Sequence, residues 1–360
     1  MGKKSPKLIS NAVYCQLIVE DKETYKIFRI EGLPDTLVRR NQGDFVEEQP
    51  YIQFNHASIN QDRALISLSN DSEMAVIESV PKMKSINPII GEKTVLMVNV
   101  SAKGPKPLSI SDSEIARAVL GTNTGSMNSQ YKACSHNKLI FKAASGANIP
   151  SDGVVSINLD RFILREDIAT VMNDATLKLE ELVGSIEQFD HVIFFVQFGT
   201  VMDSASFWNA YAMQHGRVAV FNNQLGSALS SLMHEVGHNF GLYHSTEGGK
   251  EYGDTTGYMG ESFGYEESPL MCFNAAKSWR LGWYEDRHVS INLENGEGLA
   301  WKGSLYGVDD YGTEAEDSAV VAQIETLGEE NIYFMYNSKK GINKGTMEYG
   351  DHVVIVSTLT

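Results

Sequence analysis
Short runs in which apolar and polar residues alternate recur through the first ninety positions, at 12–20, 24–31, 64–69 and 74–80, with turn residues between them. Period-two alternation over such lengths fits strands with one buried face. Residues 1–90 are therefore expected to form a β-rich N-terminal unit. Segment 81–92 holds two prolines and a glycine with little periodicity, and reads as a linker.

From 94 the pattern changes. The apolar run 94–100 fits a strand buried on both faces, 111–120 and 126–134 read as helices opened by Ser111 and Ser126, and 139–144 and 153–159 read as strands. At 167–183 the residues Ile168, Val171, Met172, Ala175, Leu177, Leu179 and Leu182 recur at helical spacing and predict a backing helix. The almost wholly apolar 192–198 reads as a central strand, and 217–221 as a shorter one. A helix starting near 226–230, where serines can cap it, would anchor itself through Leu229, Leu232, Met233, Val236 and Phe240. Beyond 284 the runs 289–293, 299–307, 319–326, 332–336 and 353–357, separated by glycine and asparagine, predict further strands. The expected organisation is a β-rich unit over 1–90, an α+β domain over 91–283 and a small β-rich appendage over 284–360.

Composition narrows the picture. A hydrophobic content of 42% is enough for a packed core, and a net charge of −16 argues against a nucleic-acid or anionic-membrane surface. No apolar run approaches the roughly 18 residues of a transmembrane helix. The basic start, Met1 to Lys7, is followed by neither an apolar run nor a small-residue cleavage site, so no secretory leader is visible.

The chemistry concentrates at 231–245, Ser-Leu-Met-His-Glu-Val-Gly-His-Asn-Phe-Gly-Leu-Tyr-His-Ser. His234 and His238 lie four apart, so on a helix of about 3.6 residues per turn both imidazoles leave one face and can grip one metal ion. Gly241 tolerates the left-handed conformation that ends a helix, which lets His244 swing back as a third ligand. Three nitrogen ligands leave a tetrahedral zinc one open position for water, the mark of a catalytic site. Glu235 stands beside them as the general base. The other six histidines, His56, His136, His191, His215, His288 and His352, show no ligand spacing.

His234-Glu235-x-x-His238-x-x-Gly241-x-x-His244 resembles the zinc signature of the metzincin metallopeptidases. Such enzymes carry a methionine turn beneath the metal. Gly253 to Gly260 supplies one with Met259, fifteen residues past His244; Met271 is the rival, and the glycines around Met259 suit a tight turn better. The block Cys272-Phe273-Asn274-Ala275-Ala276-Lys277-Ser278-Trp279-Arg280-Leu281-Gly282-Trp283 is similar to the one that comes after this turn in the gametolysin family, algal cell-wall and extracellular-matrix peptidases. The resemblance runs from about Lys93 to the C-terminus and is strongest over 231–283.

The resemblance to gametolysins implies a metzincin-type zincin domain, a twisted sheet with a backing and an active-site helix, and a prodomain-like 1–90. It implies one zinc ion as cofactor; the residues do not decide a calcium requirement. The implied substrate is a protein or peptide, a matrix or cell-wall glycoprotein, met outside the cell. Strand 217–221 would be the open sheet edge to which substrate adds, and Phe263, Tyr265, Leu270 and Phe273 would line the wall of a substrate pocket. Astacin-like and serralysin-like members place a tyrosine ligand two residues after the turn methionine; Glu261 stands there, so no such ligand is expected. Of the three cysteines, Cys134 and Cys272 fall in family-like segments, which allows a disulfide, with two buried thiols as the alternative. In related zymogens a prodomain cysteine caps the metal, but Cys15 lies in a strand-like run and reads as a packed thiol. The alternative function is a catalytically silent zinc-containing adhesion module, against which the intact Glu235 argues. A zinc hydrolase acting on non-peptide bonds is the other.

Overall fold
A computed structural model of the chain describes the backbone of six strands within 16–77 and then residues 88–104, 110–202, 208–222, 226–262, 269–292, 301, 303–313, 318–325 and 330–359. The chain forms two compact units, Met1–Lys84 and Ser85–Thr360. In the first, β1 (Gln16–Asp21), β2 (Thr24–Glu31), β4 (Ala57–Asn60) and β5 (Leu65–Leu68) form a sheet in the order β1-β2-β5-β4, and β3 (Tyr51–Phe54) pairs with β6 (Met74–Ile77). Strands β3 and β4 fall outside the runs of alternating residues. Cys15 lies outside the described residues.

The second unit is built on β7 (Gly91–Lys103), the longest strand at 13 residues. β8 (Leu139–Ala143) and β9 (Val154–Phe162) lie parallel along successive stretches of one side of it, and β10 (His191–Val196) lies parallel along the other. β12 (Val218–Asn222) continues the sheet, and β11 (Ala210–Ala212) runs antiparallel at its edge. The expectation that 217–221 is the open edge is thus overturned. The three residues Ala-Tyr-Ala of β11 fold back to cover it, a strand too short to register in the apolar pattern.

Both faces of this sheet are buried, and the strand residues sort between them by parity. Leu96, Val98, Val100, Val192, Phe194, Val196 and Val220 pack with Ile168, Val171, Met172, Ala175 and Leu179 of α3 (Ile168–Val183). Leu177 and Leu182 of that helix, assigned to its buried stripe by spacing, are instead exposed. Val95, Met97, Ile193, Phe195, Ala219 and Phe221 pack on the opposite face with α1 (Asp112–Leu120), α2 (Met127–Cys134) and α4 (Leu229–Asn239). Ser111 and Ser126 cap α1 and α2 as expected. Helix α4 starts at Ala228 without a side-chain cap, because the whole helix is buried and Ser230 Oγ donates instead to the Ser262 carbonyl at 2.9 Å.

The same core takes in α5 (Ala275–Leu281) and the C-terminal strands β13 (His288–Asn292), β16 (Val321–Glu325), β17 (Glu330–Asn337) and β18 (His352–Leu359), ordered β13-β16-β17-β18, with β14 (Ser304–Leu305) and β15 (Ser318–Ala319) as a separate pair. Val308, Val320, Val321, Tyr333 and Met335 join the cluster that holds α4, so the C-terminal strands pack on the same core as the elements of 91–283. Polar ties reinforce the union. Gln130 Nε2 donates to both the Met271 and Ile342 carbonyls, and Cys272 N donates to Asn343 Oδ1. Cys134 at the end of α2 and Cys272 just ahead of α5 form a disulfide, with Cα atoms 5.6 Å apart.

Candidate metal centre
Helix α4 carries His234 and His238 on one side, with ring centroids 4.8 Å apart. Gly237 between them has no room for a side chain: a Cβ there would lie 2.7 Å from Met259 Sδ, so the thioether packs directly under the helix that bears both histidines. Gly241 ends the helix with φ +79°, and the imidazole of His215 occupies the space its Cβ would need. The turn so made bonds Leu242 N to the Gly237 carbonyl and brings the Leu242 carbonyl to 2.6 Å from His238 Nδ1. One glycine therefore both stops the helix and orients His238.

The chain then runs to His244, whose ring centroid lies 4.8 Å from that of His238 and 5.2 Å from that of His234. Ser245 N donates to the Met259 carbonyl, and the Tyr258 carbonyl lies 2.7 Å from His234 Nδ1. Tyr258 is in turn held by Cys272, since its N–H donates to the Cys272 carbonyl and its hydroxyl to the Pro269 carbonyl. His244 Nδ1 meets Glu251 Oε1 at 2.6 Å.

These three contacts fix the tautomers, because a carbonyl or carboxylate oxygen can only accept. Each Nδ1 is the protonated nitrogen, and each Nε2 presents a lone pair. His238 Nε2 and His244 Nε2 approach to 3.1 Å, and one ligand atom from each histidine lies within 4.8 Å of the others. Lone pairs so close repel unless a cation sits among them, so the donor set fits a divalent metal. Electrostatics favours the neutral rings a metal needs. Burial, then the neighbouring His238, drives His234 down to about 3; burial drives His238 down to about 4; His244 is lowered by burial against the opposing pull of Glu251. The buried Lys277 ammonium adds to the last two. Burial pushes the Glu235 carboxyl up to about 8.

Four supports of the centre were invisible to spacing: the Tyr258 carbonyl, Glu251, Tyr252 and Lys277. The Tyr252 ring centroid lies 4.2 Å from that of His244 and 5.9 Å from that of His234. The available signal was the glycine-bracketed turn Gly248-Gly249-Lys250-Glu251-Tyr252-Gly253, which returns the chain toward the third histidine. Of the residues expected to line a substrate pocket, Phe263 and Tyr265 lie outside the described residues. Phe273 is 1% exposed and packs against Tyr131, Tyr258 and Trp283. It belongs to the core, because the disulfide at its neighbour Cys272 draws that segment inward.

The chain is similar to several known proteins. The chain is 44% identical over 57 residues to an autolysin of Chlamydomonas reinhardtii, a match spanning 16% of this chain and 9% of the autolysin. Among solved structures it is similar to archaemetzincin from Methanopyrus kandleri (16% identical, 52% of this chain and 93% of that one, TM-score 0.30). It is also similar to OgpA from Akkermansia muciniphila (12% identical, 79% and 88%, TM-score 0.34). At such identities and scores the two structural likenesses carry no functional argument. The family model of the gametolysin peptidases, M11, matches residues 93–353 and takes in the whole histidine centre, and the chain belongs to that metallopeptidase family.

Proposed function
We propose that the chain is a zinc-dependent endopeptidase of metzincin type, with His234, His238 and His244 as ligands, Glu235 as general base and Met259 as the methionine of the turn beneath the metal. The observation that carries this reading is the convergence of three Nε2 lone pairs, each fixed by an oxygen acceptor on its Nδ1, with the buried Glu235 carboxyl on the same helix as two of them. Zinc held there supplies the Lewis-acid charge that activates water and polarises a peptide carbonyl. Glu235 takes a proton from the attacking water as its oxygen bonds to the carbonyl carbon. It then gives that proton to the amine nitrogen as the C–N bond breaks, so the residue ends as it began. The low-dielectric burial that raises its pKa suits a group that must both accept and return a proton near neutral pH.

The substrate is a protein chain in extended form, whose backbone adds to the exposed edge of the sheet at β11. The resemblance to gametolysins supports a matrix or cell-wall glycoprotein and an extracellular place of action. Among the described residues no helix is long and apolar enough to cross a membrane. The N-terminal unit stands where a prodomain stands in a zymogen. The test is chelator-sensitive cleavage of a mixed peptide library by the purified chain and by its Glu235→Ala variant, with zinc content measured on both. We expect one zinc in each protein and at least a thousandfold loss of cleavage in the variant, roughly the cost of removing a triad-type base. Undiminished cleavage by Glu235→Ala would sink the assignment.

A further inference from the structure
β18 is the outer strand of the C-terminal sheet, and it lacks the features that keep an edge from pairing. It runs eight residues beside β17, and among the described residues no strand pairs with its other side. Val356 packs on the core and Val354 is half-buried with it, while Val353 and Ile355 stand on the opposite face at 52% and 63% exposure. From 353 to 360 the sequence Val-Val-Ile-Val-Ser-Thr-Leu-Thr holds no charge, no proline and no glycine. Edge strands are ordinarily blunted by lysine, proline or short length, so this one is left able to take a further strand. A groove of about 430 Å³ follows it from Val353 to Ser357, lined otherwise by Thr246, Glu247, Gly248, Asp254, Thr256 and Tyr349. Glu247 and Asp254 bring carboxylates to that lining, and no lysine or arginine offsets them there. Glu348 lies close by, its Oε1 accepting from Thr255 N at 2.6 Å. Burial, then the neighbouring Glu348 and Asp254, raises the Glu247 carboxyl, as expected where negative charge gathers without a cation. The segment that supplies this negative lining also carries Glu251 to His244, so groove and histidine centre share one stretch of chain.

We infer that this groove binds an extended segment of the protein substrate that carries lysine or arginine among apolar residues, the segment adding to β18 as a further strand. The inference rests on the peptidase reading and deepens it, since this segment is separate from the one at β11, which belongs to another sheet. Main-chain hydrogen bonds along the free edge supply affinity that any sequence can use. Val353 and Ile355 then favour apolar side chains, and Glu247 with its carboxylate neighbours favours cationic ones. A second copy of the chain is a poorer occupant. It would bring the same carboxylates up to these, and each copy carries a net charge of −16.

The test uses two labelled octapeptides, one alternating lysine with valine and the other glutamate with valine, bound to the full chain in chelator so that cleavage plays no part. The lysine peptide should bind about tenfold tighter or better, and Ile355→Lys and Glu247→Lys, both at exposed positions, should each weaken it about tenfold. In the zinc-loaded protein, joining the lysine octapeptide to a short cleavable peptide through a glycine-serine linker should lower KM about tenfold with kcat unchanged. Both variants should lose that gain and still cleave the short peptide as wild type does. Equal binding of the two octapeptides, or full affinity in both variants, overturns the groove assignment and leaves the peptidase reading standing. Selective binding without a gain in KM overturns the substrate role. Selective binding by a zinc-loaded protein that cleaves nothing overturns the peptidase reading, and the substrate role with it. A dimer in sedimentation that Ile355→Lys abolishes would give β18 to a second copy and overturn the inference.

Discussion

The two halves of the histidine centre are supported in different ways. His234 and His238 stand on a helix in which every residue is buried, and each gives its Nδ1 proton to a main-chain carbonyl. His244 stands on a loop with 24% of its side chain in solvent, and gives its proton to a carboxylate that is itself 66% exposed. The helix half is oriented by the path of the backbone, so no single substitution can remove its acceptors without moving the chain. The loop half is oriented by one side chain at the surface, where a substitution can remove the acceptor and leave the fold alone. With the three histidines as the proposed ligands, metal affinity is therefore set by the fold on one side and adjustable on the other.

The largest effect should come at the joint between the halves. Gly241→Ala forces a Cβ into the space of the His215 ring at a residue with φ +79°. Left-handed strain and overpacking together should cost about 4 kcal/mol. They should also pull the Leu242 carbonyl away from His238, so zinc affinity and stability fall together. Denaturant melts and zinc titration on one preparation check this; a variant of wild-type stability would show that the joint yields easily and that the helix half is not held by this turn.

Next in size is an acid dependence confined to the helix side. His191 Nδ1 donates to Asn239 Oδ1, and Asn239 at the end of α4 donates to the Met213 and Val218 carbonyls. Burial holds His191 down to about 4, with Asn239 and Asp190 pulling it up and Lys93 and Arg217 adding to the fall. The unfolded chain takes up this proton near pH 6.5 and the folded one only near 4. Between those values the unfolded state binds more protons, so stability is lost as pH falls through that window, by about 3 kcal/mol at its lower end. Melts of the zinc-free protein at pH 7 and pH 5 should show the loss, and His191→Gln, which keeps a donor for Asn239, should reduce it by the share of His191 while that of the equally buried His234 and His238 stays. Equal slopes for the two proteins would assign the acid sensitivity elsewhere.

On the loop side, Glu251→Ala should weaken zinc about tenfold, the lower end for a carboxylate that backs a metal-bound histidine, because this one is largely in water. Stability of the zinc-free protein should hardly change. Glu251→Gln, which keeps an oxygen for His244 Nδ1, should recover part of the affinity. A Glu251→Ala protein that binds zinc as tightly as wild type would erase the contrast between the halves.

The same division governs what the sequence made legible. Spacing shows His234, His238 and Gly241 because a helix imposes a period and a glycine marks its end; both are local facts. The two-faced sheet was legible for the same reason, since 94–100 and 192–198 are apolar without alternation. Glu251 and Tyr252 were not, because a loop has no period and their positions depend on where the turn at 248–253 brings the chain back. β11 was missed at three residues, and it covers the strand that the resemblance implied to be the open edge. Phe273 looked free to line a pocket only while the disulfide at Cys272 was one of two alternatives; once that bond is in place, the residue is core. The C-terminal strands were found as strands, but nothing local reveals that Val320, Val321 and Met335 complete the core beneath α4.

The smallest effect, that of Met259→Leu, tests whether the support beneath the helix half is chemistry or packing. Met259 is 1% exposed, and its sulfur lies 2.7 Å from where a Cβ on Gly237, between His234 and His238, would stand. A thioether there makes no bond to the centre; it fills a gap with a flexible, polarisable chain. Met259→Leu nearly conserves volume, so it should cost less than about 1.5 kcal/mol and leave zinc affinity within about twofold. Met259→Ala opens a cavity under Gly237 and should cost about 3 kcal/mol, with part of that loss appearing in zinc affinity as the helix settles. If Met259→Leu instead lost zinc as severely as Met259→Ala, sulfur itself would matter to the metal, and the helix half would depend on a side chain just as the loop half depends on Glu251.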